Sequence, residues 1–179
     1  MKSILIVISA LFFATSCDST STEETTGKPK STANKTVSNW KYSNEEDKMT
    51  GDTAFFAVAN SPTLAHFKFP YNEEGGSKFS LTIRKNGSGS DVALQVSKGY
   101  FLTNIMDDTK IRIRFDNEKP ESYTCGAPAD HSNETIFIYP EKKFINKLKK
   151  AKKIFIEATF YDEGTIPVEF NVDSFKWNH

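Results

Sequence analysis

The chain predicts a mainly β fold, an antiparallel β-sandwich or partly open barrel carrying one amphipathic α-helix. Three observations predict it: apolar and polar residues alternate along several short runs, turn residues separate those runs, and a single segment switches to helical spacing. Alternation places every second side chain on one face of a strand, so one face can be buried while the other stays wet. A set of about nine such runs needs the two-layer or coiled covering that antiparallel all-β folds provide.

In chain order, residues 53–60 and 64–69 are the first strand candidates. Phe79, Leu81 and Ile83 then alternate with Ser80, Thr82 and Arg84, and Val92, Leu94 and Val96 alternate with Ala93, Gln95 and Ser97. Between these runs, the Asn86-Gly87 step suits the positive φ of a tight hairpin turn. Residues 99–104 are the next candidate. Past a turn at Asp107-Asp108, Ile111, Ile113 and Phe115 alternate with Arg112, Arg114 and Asp116. Residues 135–139, 154–161 and 165–172 complete the set, the last two joined by Asp162-Glu163-Gly164. Over residues 140–151 the period changes: Phe144, Ile145, Leu148 and Ala151 share an arc of about 120° on a helix. Pro140 suits the first turn, and Lys149, Lys150 and Lys152 suit the negative end of the helix dipole.

Residues 1–16 have the layout of a cleavable export signal. Lys2 is positive, residues 4–13 form an apolar run broken by Ser9, and Ala14-Thr15-Ser16 precede Cys17. The run is short for a spanning helix, which takes about 20 apolar residues. A cysteine after a small-residue triplet resembles a bacterial lipoprotein processing site, in which Cys17 becomes the acylated mature N-terminus. Ala14 stands where that pattern usually has Leu. Several acyl chains on one cysteine imply a firm anchor, since one chain alone holds a membrane only marginally. Residues 17–38 read as a tether, too poor in apolar side chains to bury a core, and a coil of that length spans about 25 Å. Residues 39–179 are the folded domain. The expected address is the cell envelope, lipid-anchored, with the outer membrane favoured over the inner.

Charge is balanced at 23 basic and 23 acidic residues, which removes a global field for nucleic acid. Fifteen Phe and six Tyr supply core material. With Cys17 acylated, Cys125 is the one thiol left, so no internal disulfide is available and the core must carry stability alone. No cofactor is expected.

The candidate site residues are cations. Lys142, Lys143, Lys147, Lys149 and Lys150 occupy the polar arc of the helix, where Lys142, Lys143, Lys147 and Lys150 are candidate ligands for phosphates, an anionic glycan or an acidic partner. The alternative is a solvated face. Against twenty Lys the chain has only three Arg, and guanidinium holds carboxylate or phosphate bidentately as ammonium cannot. Arg84, Arg112 and Arg114 all fall at non-core strand positions, and Arg112, Arg114 and Asp116 are expected on one strand face. They are candidate ligand-binding residues, with cross-strand pairing to Asp116, Asp91 or Glu157 as the structural alternative. Cys125, Asp130 and His131 allow a nucleophile, orienter and base on paper, but Gly126-Ala127-Pro128-Ala129 matches no cysteine-hydrolase signature, and a half-buried loop thiol is the simpler reading. No spacing suggests a metal site.

Several motifs run across the folded part: Trp40-x-Tyr42, Asp47-x-Met49-Thr50, Phe69-Pro70-Tyr71, Leu81-x-Ile83-Arg84, Arg114-Phe115-Asp116, the helix at 144–152, and Trp177. In these the domain resembles a group of small Bacteroidota-type envelope lipoproteins of unknown function. More distantly, it is similar to periplasmic accessory proteins encoded with type VI secretion systems. Neither resemblance implies catalytic residues. The expectation is a membrane-anchored, non-enzymatic envelope module that binds a protein or an anionic glycan or lipid. Two alternatives stand beside it: an inhibitor of a lytic enzyme such as lysozyme, using a projecting loop at 122–133, and a small hydrolase using Cys125 with His131.

Overall fold

The computed structural model describes residues 39–103 and 109–179. The export signal, Cys17, the tether and the Asp107-Asp108 turn lie outside the described residues. Nine strands and one helix follow in order: β1 Trp40–Glu46, β2 Thr53–Ala65, β3 Ser77–Asn86, β4 Gly89–Val96, β5 Thr109–Phe115, β6 Glu121–Gly126, β7 Thr135–Tyr139, α1 Glu141–Leu148, β8 Lys153–Phe160 and β9 Gly164–Asn171. The fold is mainly β, as expected. The strands join in one continuous antiparallel sheet, ordered β1-β2-β3-β4-β7-β6-β5-β8-β9, which is not closed into a barrel.

One core lies on the inner face of this sheet. Phe79, Leu81 and Ile83 of β3, Val92, Leu94 and Val96 of β4, Ile111, Ile113 and Phe115 of β5, and Ile154, Ile156, Ala158 and Phe160 of β8 all point into it. These are the apolar positions of the alternating runs. Phe160 sits among rings, with Phe101 at 4.5 Å, Phe67 at 4.9 Å and Phe79 at 5.9 Å between centroids. On β2 the inner positions are small, Ala57 and Ala59, and larger side chains from elsewhere fill the space beside them. Trp40 lies opposite Ala59, and Phe175 and Trp177 of the C-terminal segment are buried next to it. Trp40 meets Phe175 at 4.4 Å, Phe175 stacks on Trp177, and the Trp40 indole N–H donates to the Val172 carbonyl. Trp40 and Trp177 therefore belong to one cluster. Across another part of the core, α1 inserts Phe144, Ile145 and Leu148, with Phe144 meeting Phe115 and Tyr123 edge-on.

The two ends of the sheet approach each other without a backbone ladder. β1 pairs with β2 only as far as Ala59, so the stretch beyond it has a free edge facing β9. There Ser61 Oγ donates to the Glu169 carbonyl at 2.5 Å, and the Glu169 N–H donates to Thr63 Oγ1 at 3.0 Å. Asn39 spans the same seam, its amide donating to the carbonyls of Asn60 and Asn171.

Several elements depart from the expectation. Residues 53–60 and 64–69 are not two strands: β2 runs through Pro62 to Ala65, with a register shift against β3 between Asn60 and Leu64. Pro62 is tolerated because its missing N–H falls at the irregularity on a free edge. Of the candidate 99–104, the described residues 99–103 do not form a strand, and Phe101 makes one isolated bridge to Phe160; residue 104 lies outside the described residues. β1 and β6, which alternation did not mark, complete the sheet. In the β3–β4 hairpin the positive φ falls on Gly89 and not on the Asn86-Gly87 step, because Asn86 Oδ1 instead accepts the Ser88 and Gly89 N–H groups. Asp162 and Gly164 do take positive φ in the last hairpin.

The hydroxyl seam sets a stability expectation. Removing both bonds in a Ser61→Ala/Thr63→Ala protein lowers unfolding free energy by about 1–3 kcal/mol, each bond being worth about 0.5–1.5 kcal/mol. Denaturant midpoints measure it, and an unchanged midpoint would show these two hydroxyl bonds to be energetically idle.

Candidate binding face

The strand order divides the three arginines. Arg84 lies on β3, and β4, β7 and β6 separate it from β5, a lateral path of about 19 Å at the usual strand spacing. It stands directly opposite Asp91 and donates from Nε at 2.8 Å, an ordinary cross-strand pair. The structural alternative therefore accounts for Arg84. Arg112 and Arg114 are adjacent on the outer face of β5. Opposite Arg112 is Glu157 of β8, with Nε to Oε2 at 2.5 Å. Opposite Arg114 is Phe155, and the guanidinium carbon lies 4.5 Å from the ring centroid. Among the described residues Arg114 has no carboxylate partner.

Pro120 and Pro167 wall this spot, which forms a shallow depression of about 180 Å³ together with Arg112, Arg114, Phe155 and Glu157. Lys153 reaches the other side of Phe155, at 5.9 Å from the ring, while pairing with Glu169 at 2.7 Å. A half-buried aromatic plane thus carries two cations, one of them uncompensated. Phe155 is not among the site residues that the sequence pattern marks. Its signal is an aromatic at the solvent-facing phase of β8, where Ile154, Ile156, Ala158 and Phe160 take the inward phase.

Asp116 is not part of this face, against the expectation from spacing. β5 ends at Phe115, and Asp116 turns away with φ 46°. Its Oδ1 accepts the backbone N–H groups of Lys152 and Lys153 at 3.0 and 2.8 Å, so it anchors the entry to β8.

The helix lysines divide in the same way. Lys143 pairs with Glu121 at 2.8 Å, and Lys147 pairs with Glu118 at 2.7 Å and with Glu121. Both ammonium groups also lie over core rings, Lys143 over Tyr123 and Lys147 over Phe115. These two lysines fasten α1 to the β5–β6 hairpin. Lys142, Lys149 and Lys150 are exposed. Hydrogen bonds from Lys143 and then Lys147 hold the Glu121 carboxyl below its ordinary range, and the bond to Glu118 leads the causes that raise the Lys147 ammonium.

Cys125 faces the core from β6, and burial pushes its thiol up to about 11. The thiol is thus protonated at neutral pH, whereas a nucleophile needs thiolate. His131 is exposed in the following loop at φ 57°, and Asp130 Oδ1 accepts the Ser132 N–H. The loop expected to project from 122 to 133 is shorter than that, because its first five residues lie in β6. Among the described residues no group of three His, Cys, Asp or Glu side chains could hold a metal ion, and no helix is long and apolar enough to cross a membrane. No protein-family model, characterised protein or solved structure matches the chain.

The Glu121 fastening carries a pH dependence. A carboxyl depressed on folding adds stability that is present above its unfolded pKa, near 4.3, and lost as pH falls through the folded value. Glu121→Gln melts below wild type at neutral pH, by at most about 1 kcal/mol for a partly exposed network, and the two curves converge below about pH 4. A gap that persisted unchanged into strong acid would exclude the carboxylate as its source. Cys125 gives a second expectation: in the native protein at pH 8, iodoacetamide reacts only as fast as the domain unfolds. Rapid native labelling would show a thiol more open than this burial allows.

Proposed function

We propose that this protein is a non-enzymatic envelope module, anchored through an acylated Cys17, that captures an anionic partner on the outer face of β5, β8 and β9. The observation that carries the reading is Arg114, a guanidinium laid over Phe155 with its hydrogen-bonding edge left without a carboxylate. Packing against the ring holds the side chain in place, so an incoming carboxylate or phosphate meets a preorganised donor pair. Pro120 and Pro167 add apolar walls for whatever carries that anion, while Glu157 tempers Arg112 and disfavours a second anion beside it. A buried, protonated Cys125 gives no support to thiol hydrolysis.

The test is crosslinked partner capture from intact cells with wild type, Arg114→Glu, Arg114→Lys and Arg84→Glu proteins, each checked for folding. Arg114→Glu is expected to lose the partner at least tenfold, with Arg114→Lys intermediate and Arg84→Glu close to wild type. Stability of the Arg114 variants should stay within about 0.5 kcal/mol of wild type, as for other exposed positions. Equal capture by wild type and Arg114→Glu would sink this face as the binding site.

A further inference from the structure

The end of the domain that carries Ala65 and the β8–β9 turn displays a connected set of apolar rings. The turn in which the Tyr71 N–H donates to the Lys68 carbonyl puts Phe69 at its tip, 88% exposed. Tyr71 meets Tyr100 edge-on at 6.1 Å, and Tyr100 meets Tyr161 at 5.5 Å. Phe101 and Phe160 point into the core, so Tyr100, Leu102 and Tyr161 are left on the outside, with Leu102 and Tyr161 about half exposed. The platform is fixed. The Leu102 N–H donates to the Thr159 carbonyl, the Tyr161 N–H to the Tyr100 carbonyl, and the Lys68 N–H to Glu163 Oε1 at 2.6 Å. Lys98 lies alongside, its Nζ donating to the Asn72 carbonyl.

We propose that this end of the domain rests on the bilayer that holds Cys17, with Phe69, Leu102 and Tyr161 entering the headgroup region and the Arg114 face held clear of the lipid. The proposal rests on the lipid anchor proposed above. Tyrosine is suited to such a boundary, having an apolar body and a polar tip, and long lysine stems can lie along it. Chain length supplies the reach. Residues 18–38 extend at most about 75 Å, and they enter the domain at Asn39, beside Asn60 on β2. From there to Ala65 is about 17 Å along the strand. A tether this short keeps the surface at an effective concentration of about millimolar, so weak affinity suffices to hold the patch down. Along β8 the six residues from Phe155 to Tyr161 separate the two faces by about 20 Å, which leaves the arginines facing the aqueous side.

The test uses the full acylated chain reconstituted in phosphatidylethanolamine–phosphatidylglycerol vesicles. An environment-sensitive NBD dye is attached at Phe69→Cys or, as control, at Met49→Cys. Met49 is 92% exposed in the turn before β2, at the opposite end of that 13-residue strand. Buried Cys125 stays unlabelled under native conditions. The expected result is a blue-shifted dye at position 69, quenched severalfold more by nitroxide lipids than the dye at position 49. Water-like emission at both positions, with the chain still on the vesicles, overturns the docking and leaves the anchor standing. A dye at 69 that is wet on vesicles but shielded in native membranes overturns it in favour of a protein partner. If wild-type chain from cells partitions into the aqueous phase as a Cys17→Ser chain does, the anchor fails and the docking with it.

Discussion

A single layer of strands can enclose a core only by curling until its ends meet, and most of this structure follows from that constraint. Nine strands at about 4.8 Å spacing make a ribbon about 40 Å wide, enough to wrap one cluster of rings but with no second sheet to cover it. The ends do meet, at β2 and β9, where side-chain hydroxyls and the Asn39 amide do the work of a ladder. The covering is completed by α1 and by the C-terminal segment with Phe175 and Trp177. The small inner side chains Ala57 and Ala59 belong to the same solution, since bulk on β2 would leave no room for that segment.

The electrostatic arrangement pairs the strand-face cations locally and leaves others, such as Lys142, Lys149 and Lys150, in solvent. Arg84, Arg112, Lys143, Lys147 and Lys153 each have a carboxylate within bonding distance, and all five join neighbouring strands or fasten the helix to the sheet. Such exposed pairs contribute little stability individually. They do occupy Arg84 and Arg112, so among the three arginines Arg114, laid over Phe155, is the one without a carboxylate partner among the described residues. Zero formal net charge therefore says little about the local charge at any one face.

The hairpins β3–β4 and β8–β9 and the helix were legible because their burial is one-sided and their periods are clean. β1 was not, because Trp40 is its only buried residue and the rest of WKYSNEE reads as a polar flank. β6 was hidden for a related reason, having only Tyr123 and Cys125 to mark its inner face. The run at 99–104 misled in the other direction: Phe101 packs like a strand residue but bridges a single partner. At the site, the pairing options named from sequence included Asp91 and Glu157, and both are used. That Glu118 and Glu121 would take Lys147 and Lys143 depends on where a crossover helix lands, which no local pattern encodes. Arg114 differs from Arg112 in the residue opposite it on β8, and strand register is a property of the assembled sheet.

Asn39 and Trp40 mark where the polar N-terminal stretch joins the sheet, and their bonds have a mechanical consequence. An edge strand pulled from its end would normally peel from its neighbour one bond at a time, at low force. Here the same two residues are also tied to the carbonyls of Asn171 and Val172. A pull arriving along the chain at Asn39 would therefore load β2 and the segment after β9 together, so peeling β1 alone would require breaking bonds to both. The entry to the outermost strand is thus tied to two parts of the sheet at once.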